Sequence, residues 1–138
     1  MTEKTVLFFD GASRGNPGES GAGWLIIKGK EKVEGAEYLG KKTNNQAEYT
    51  ALIRGLEEVV RRKWTKKMEI KGDSELIMKQ LKGEYQVKSP RIKPLYNKVV
   101  KLLQKVEKWE CKHVKREKNK EADKLANKGI DERKTRKS

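Results

Sequence analysis

The chain has 138 residues, with 34 Lys plus Arg against 20 Asp plus Glu and a formal net charge of +14. That length suits one domain burying roughly two-thirds of its unfolded surface, and excludes a second core of similar size. So large a positive excess favours a polyanionic partner, nucleic acid ahead of a membrane surface; a thermophile-like shell of solvated Lys and Glu would explain the number of charges but not their sign. The single cysteine, Cys111, excludes an internal disulfide framework and reads as a half-buried strand residue. No apolar stretch approaches the roughly 20 residues of a membrane span. Met1-Thr2-Glu3-Lys4 leads straight into a strand-like run without the pattern of a signal peptide. The expectation is a cytoplasmic monomer with no membrane partner.

Residues 4–10 read as a buried strand, and Gly21 to Lys28 and Val33 to Gly40 as two more around the turn signal Lys28-Gly29-Lys30. Connections this short make an antiparallel meander. The period then changes: Glu48, Leu52, Gly55, Leu56 and Val59 recur at helical spacing, with Arg54, Glu57, Glu58, Arg61 and Arg62 on the other face. Thr43 followed by Gln46 forms a capping-box pattern, so a helix is predicted over 44–62 with Glu48 in its first turns, facing the sheet. Lys67 to Gly72 reads as a short strand, and Ser74 to Leu81 as a short helix turning Leu76, Ile77 and Leu81 inward. After a connection holding Pro90 and Pro94, the stripe Ile92, Leu95, Val99, Leu102, Leu103 and Val106 predicts a second long helix. Trp109 to Val114 alternates as a strand, Lys115 to Lys118 forms a charged loop, and Asn119 can N-cap a last helix ending near Lys128, with Gly129 as its C-cap.

The order β-β-β-α-β-α-α-β-α implies parallel pairing through right-handed crossovers, joined to the early meander. The fold class is α/β: a mixed five-stranded sheet, antiparallel meander plus parallel strands, with helices on both faces. Residues 1–130 make the single domain, and 131–138 a basic, disordered tail.

Four carboxylates sit where a carboxylate is least expected. Asp10 ends the apolar run Val6-Leu7-Phe8-Phe9, Glu48 lies on a helix's apolar stripe, Asp73 closes a strand, and Asp123 sits beside Ala122, Leu125 and Ala126. A carboxylate moved toward a core loses solvation unless something positive meets it. In a sheet of this kind the carboxyl ends of parallel strands form the crevice where ligands bind, so Asp10 and Asp73 can meet there. Four gathered carboxylates make an oxygen cluster suited to a hard divalent cation. Gly11 to Gly18 is rich in turn residues, and no Gly-Lys-Ser/Thr follows to make a Walker phosphate loop.

The segments Phe8-Phe9-Asp10-Gly11-Ala12-Ser13-Arg14-Gly15-Asn16-Pro17-Gly18, Thr43-Asn44-Asn45-Gln46-Ala47-Glu48, Gly72-Asp73-Ser74 and Asn119-Lys120-Glu121-Ala122-Asp123-Lys124-Leu125-Ala126 resemble the four active-site blocks of type 1 ribonuclease H, in order and roughly in spacing. The resemblance, to a short form like archaeal and some bacterial members, runs from about residue 4 to residue 130. It implies an endonuclease cutting the RNA strand of RNA/DNA hybrids and leaving 5′-phosphate and 3′-hydroxyl ends. It also implies two Mg²⁺ ions, or Mn²⁺, held by Asp10, Glu48, Asp73 and Asp123, with Asp10 bridging. Two cations about 4 Å apart can supply a hydroxide and offset charge on the leaving oxygen. By the same resemblance Gly11 and Ser13 lie in a turn whose backbone approaches RNA 2′-hydroxyls. Asn16, Asn44 and Asn45 touch bases or sugars from the minor groove, and Thr43 and Lys41 hold a DNA-strand phosphate. For Thr43 and Asn44 the helix-cap role explains the residues equally well.

Two departures stand out. Many relatives carry a loop histidine before the last aspartate; here Arg116 occupies that loop, able to bind phosphate but not to shuttle protons at neutral pH. His113, within the strand, is expected to be structural. The basic protrusion of some bacterial members has no room between Leu81 and Ile92, where Lys82, Lys88, Arg91 and Lys93 can supply part of its charge. Trp24, Trp64 and Trp109 are expected to pack rather than stack on bases. The rival expectation is a catalytically silent module of the same kind, binding hybrid or double-stranded RNA; loss of a carboxylate would favour it, and all four are present.

Overall fold

Alternating apolar residues organise the centre of the sheet. The computed structural model describes residues 3–133 and 136–137. Strands β1 (Thr5–Gly15), β2 (Gly18–Lys28) and β3 (Glu31–Lys42) form the expected antiparallel meander. β4 (Lys67–Gly72) runs parallel to β1, and β5 (Lys108–His113) parallel to β4. The order β5-β4-β1-β2-β3 is the mixed five-stranded sheet that the sequence implies, and a two-residue β6 (Arg136–Lys137) pairs with β3 at Gly35 and Ala36. β1 outruns its apolar run because residues 11–15 stay paired with β2, confining the turn to Asn16 and Pro17.

Helices cover both faces. Leu7 and Phe9 pair with Ile26 and Trp24 and face α1 (Asn44–Arg61), where Gly55 lies so close that a Cβ would come 2.5 Å from Leu7 Cδ1. On the opposite face α4 (Lys120–Glu132) crosses β2 directly over Gly21 and Gly23. Between them come α2 (Glu75–Leu81) and α3 (Lys93–Leu103); Val99 and Leu103 of α3 join the core that α1 covers, and Trp24 is buried in it. α1 starts as the capping box requires: Gln46 N donates to Thr43 Oγ1 at 3.2 Å and Thr43 N to Gln46 Oε1 at 2.9 Å. No helix among the described residues is long and apolar enough to cross a membrane.

Three expectations change. Leu76 is 39% exposed; the inward face of α2 is Ile77, Met78 and Leu81, which helical spacing i, i+1, i+4 sets on one side with Leu76 at its edge. Gly129 does not end α4, which continues to Glu132 and is capped by Arg133 in the left-handed conformation. Gly129 instead permits close packing, since a Cβ there would lie 2.7 Å from Glu37 O. Of the tail expected to be disordered, Asp131 and Glu132 belong to α4, and Arg136–Lys137 forms β6, bonding to groups that an edge strand leaves open. Residues 134, 135 and 138, like Met1 and Thr2, lie outside the described residues.

Candidate active site

Backbone packing brings the four acids together. On β1, Asp10 pairs with Gly23 of β2 on the face that α4 covers, and a Cβ on Gly23 would collide with Ala122 O and Ala126 N. The bare glycine therefore lets the first turn of α4 down onto the sheet, and Asp123 with it, near enough for its charge to act on the Asp10 carboxyl. Gly11 does the same on the other face. A Cβ there would strike Ala47 C and Glu48 N, so its absence allows α1 to bring Glu48 against the strand next to Asp10. Asp73 follows β4, whose parallel pairing with β1 sends both chains toward the same edge. One oxygen each from Asp10, Glu48 and Asp73 lies within 4.8 Å of the others.

The electrostatics of this centre are unfavourable without a cation. Burial pushes the Asp10 carboxyl up to about 7, with the charges of Asp73 and Asp123 adding to the effect and its hydrogen bond with Glu48 opposing it. Burial also holds Glu48 well above the usual carboxylate range, with Asp10 and Asp73 adding and the Gly11 N–H opposing. Among the described residues no Lys or Arg forms an ion pair with any of the four, and Glu48 Oε2 is buried without a hydrogen-bond partner. Clustered hard oxygens with an orphaned lone pair fit a divalent cation of the Mg²⁺ or Mn²⁺ type.

Around the acids the structure departs from sequence expectation at two residues. Asn119 precedes α4 but makes no side-chain cap; its Nδ2 donates to Phe9 O at 2.9 Å and Asp73 Oδ2 at 3.1 Å. His113, the last residue of β5, is exposed at the rim of the site, with Nε2 3.2 Å from Asp73 O. Arg116 is exposed in the 3-10 turn Arg116–Lys118. Asn127, one helical turn beyond Asp123, donates to Asp123 O at 3.0 Å and Oδ1 at 3.4 Å, a contact that i, i+4 spacing could have suggested.

At the N-terminal end of α1 lies an open groove of about 480 Å³, walled by Asn16, Thr43, Asn44, Asn45, Ser89 and Arg91 and by none of the four acids. Asn44 N donates to Asn16 Oδ1 at 3.1 Å, and Ser13 Oγ to Lys42 O at 3.0 Å, which fixes the β1–β2 turn against α1 and β3. Lys41 is exposed near the end of β3, outside the groove wall. Ser89 carried no sequence signal, since it enters through an irregular connection.

An acidic centre at the carboxyl ends of parallel strands, flanked by a polar groove and covered by α1 and α4, defines the ribonuclease H-like class. Residues 8–129 match the family model described as Reverse transcriptase-like. The sequence is 40% identical over 127 residues to Ribonuclease HI of Halobacterium salinarum, covering 91% of this chain. The crystal structure of RNase H1 from that halophilic archaeon matches with a TM-score of 0.88 at 40% identity, over 94% of this chain and 98% of the other. LC11-RNase H1 in complex with an RNA/DNA hybrid matches with a TM-score of 0.86 at 36% identity, over 94% and 98%. The chain belongs to the type 1 ribonuclease H family. It spans 63% of the length of the Halobacterium relative and 36% of that of the mycobacterial ones.

Proposed function

We propose that this protein is an endoribonuclease that hydrolyses the RNA strand of RNA/DNA hybrids without sequence preference, leaving 5′-phosphate and 3′-hydroxyl ends. The observation that carries this reading is the convergence of Asp10, Glu48 and Asp73 oxygens within 4.8 Å, with Asp123 beside them and no ion-paired side-chain cation among the described residues. The complex of LC11-RNase H1 with an RNA/DNA hybrid supports the substrate class. A pair of divalent cations, Mg²⁺ or Mn²⁺ as substitute, would supply hydroxide near neutral pH and offset charge on the leaving 3′ oxygen.

The chain's own groups do the rest. Asp10, Glu48, Asp73 and Asp123 would provide the oxygen donors that hold the cations. Cation binding would favour the ionised carboxylates of Asp10 and Glu48, against the burial that raises the proton affinity of both. Glu48 also accepts a hydrogen bond from an RNA 2′-hydroxyl. Asn16, Asn44 and Asn45 read sugar and base edges across the minor groove, where 2′-hydroxyls distinguish RNA from DNA. Gly11 and Ser13 admit the backbone closely, Thr43 and Lys41 hold a phosphate of the DNA strand, and Arg116 binds phosphate beside the acids. Contacts of this kind carry little base information, hence the absence of sequence preference. With its lone Cys111, the protein acts as a monomer in a reducing cytoplasm.

Labelled RNA/DNA hybrid, RNA duplex and DNA duplex incubated with Mg²⁺, Mn²⁺ or EDTA test the reading. The RNA strand of the hybrid should be cut only with metal, and the RNA duplex arm decides whether double-stranded RNA is a second substrate. Tight hybrid binding without cleavage in either metal would establish a silent binding module instead.

A further inference from the structure

Asn119 is the buried amide at the acidic centre that the four-carboxylate scheme leaves unused. It is only 1% exposed although it stands at the start of a helix. Its Nδ2 bridges Phe9 O, on the backbone just before Asp10, and Asp73 Oδ2. One amide therefore ties the middle of β1 to the carboxylate after β4, from the residue that precedes the helix carrying Asp123. The orientation of the amide is dictated by its neighbours: both are acceptors, so the nitrogen must face them. Oδ1 then turns away, buried and with no hydrogen-bond partner.

We propose that Asn119 is a positioning residue for the divalent-cation site, holding the Asp73 carboxylate in its ligating orientation. This rests on the reading of the acids as cation ligands. The residue type fits the task. Lys or Arg at this place would offset the carboxylate charge and compete with a metal ion, whereas a neutral amide orients Asp73 and leaves its charge available. A hydrogen-bonded partner behind a ligand restricts its rotamers and so lowers the entropy lost on binding.

The test uses the whole chain. Asn119→Ala should lower kcat on the hybrid and Mn²⁺ affinity of the substrate-free protein, measured calorimetrically, by roughly tenfold to hundredfold each, with little change in KM. Asn119→Ser separates positioning from capping: Ser is as good an N-cap as Asn, so a capping role predicts full activity and Mn²⁺ affinity, and positioning predicts loss of both. A measurement on the unaltered protein covers variants that fail to fold. In ¹⁵N NMR the Asn119 side-chain amide signals should shift on Mg²⁺ titration with the same midpoint as the Asp73 backbone amide. Unshifted signals, or folded variants that bind Mn²⁺ and turn over within about twofold of the unaltered protein, would overturn the proposal. An unaltered protein that binds neither Mn²⁺ nor Mg²⁺ would overturn the reading of the acids, and the proposal with it.

Discussion

Replacing Asp10 by Asn should stabilise the metal-free protein, and the gain should grow with pH. The Asp10 carboxyl moves from an ordinary 3.8 to about 7 in the folded chain, first because it is buried and then because Asp73 and Asp123 surround it. Below 3.8 both folded and unfolded states hold the proton, so burial costs no charge. Between 3.8 and about 7 the folded state keeps a proton that the unfolded state has lost, and stability falls as pH rises; above about 7 the loss is complete. At about 1.4 kcal/mol per tenfold change in proton affinity the full loss is roughly 4 kcal/mol. That is an upper bound, since Glu48 shares the same cause. Half of it would raise Tm by several degrees in a chain of this size. Melting curves of the Asp10→Asn and unaltered proteins in EDTA, from about pH 5 to pH 8, should therefore diverge. Saturating Mg²⁺ should reverse the order, because a ligand at about 100 times its Kd adds about 2.7 kcal/mol to the protein that binds it. A difference in Tm that is flat across this pH range, or unmoved by Mg²⁺, would refute the clustering argument. The same variant should lose hybrid cleavage by several orders of magnitude.

Four further outcomes are expected. Arg116→Ala should slow turnover roughly tenfold to hundredfold, the worth of one charge-assisted contact, while hybrid affinity changes little. Exposed His113→Ala should leave both stability and turnover nearly intact; a dead His113→Ala enzyme beside an unaffected Arg116→Ala enzyme would show the roles reversed. Gly23→Ala must push α4 off the sheet, so it should cost roughly 1–3 kcal/mol in urea unfolding and lower turnover by displacing Asp123; an active, fully stable variant would contradict the packing. With a net charge of +14, hybrid affinity should fall steeply with salt, about one counterion per phosphate neutralised, and similarly for unrelated sequences. A flat salt dependence would reduce the basic surface to mere solvation.

Local periodicity was enough to place most elements. The alternation of Leu7 and Phe9, the stripe through Leu52, Leu56 and Val59, and the Thr43–Gln46 box each encode their own element, because period and capping are short-range properties. The same holds for the oddness of Asp10, Glu48, Asp73 and Asp123, since a carboxylate on an apolar run can be read from its neighbours alone. Their distances could not be read that way. They depend on Gly23 and Gly11 admitting α4 and α1 to the sheet, and whether a missing Cβ is used for close packing is settled only by the element lying over it. For the same reason Gly129 looked like a helix stop and proved to be a packing position against Glu37. Asn119 has a cap residue's sequence context, yet its amide is drawn to Phe9 O and Asp73 Oδ2, acceptors 110 and 46 residues away along the chain. β6 depends on the open edge of β3, which Arg136 and Lys137 reach only once the sheet has formed. Short stretches of chain therefore encode the elements and the chemistry they carry. Tertiary structure alone decided which of them meet, because close approach and hydrogen bonding act between atoms remote in sequence and have no local signature.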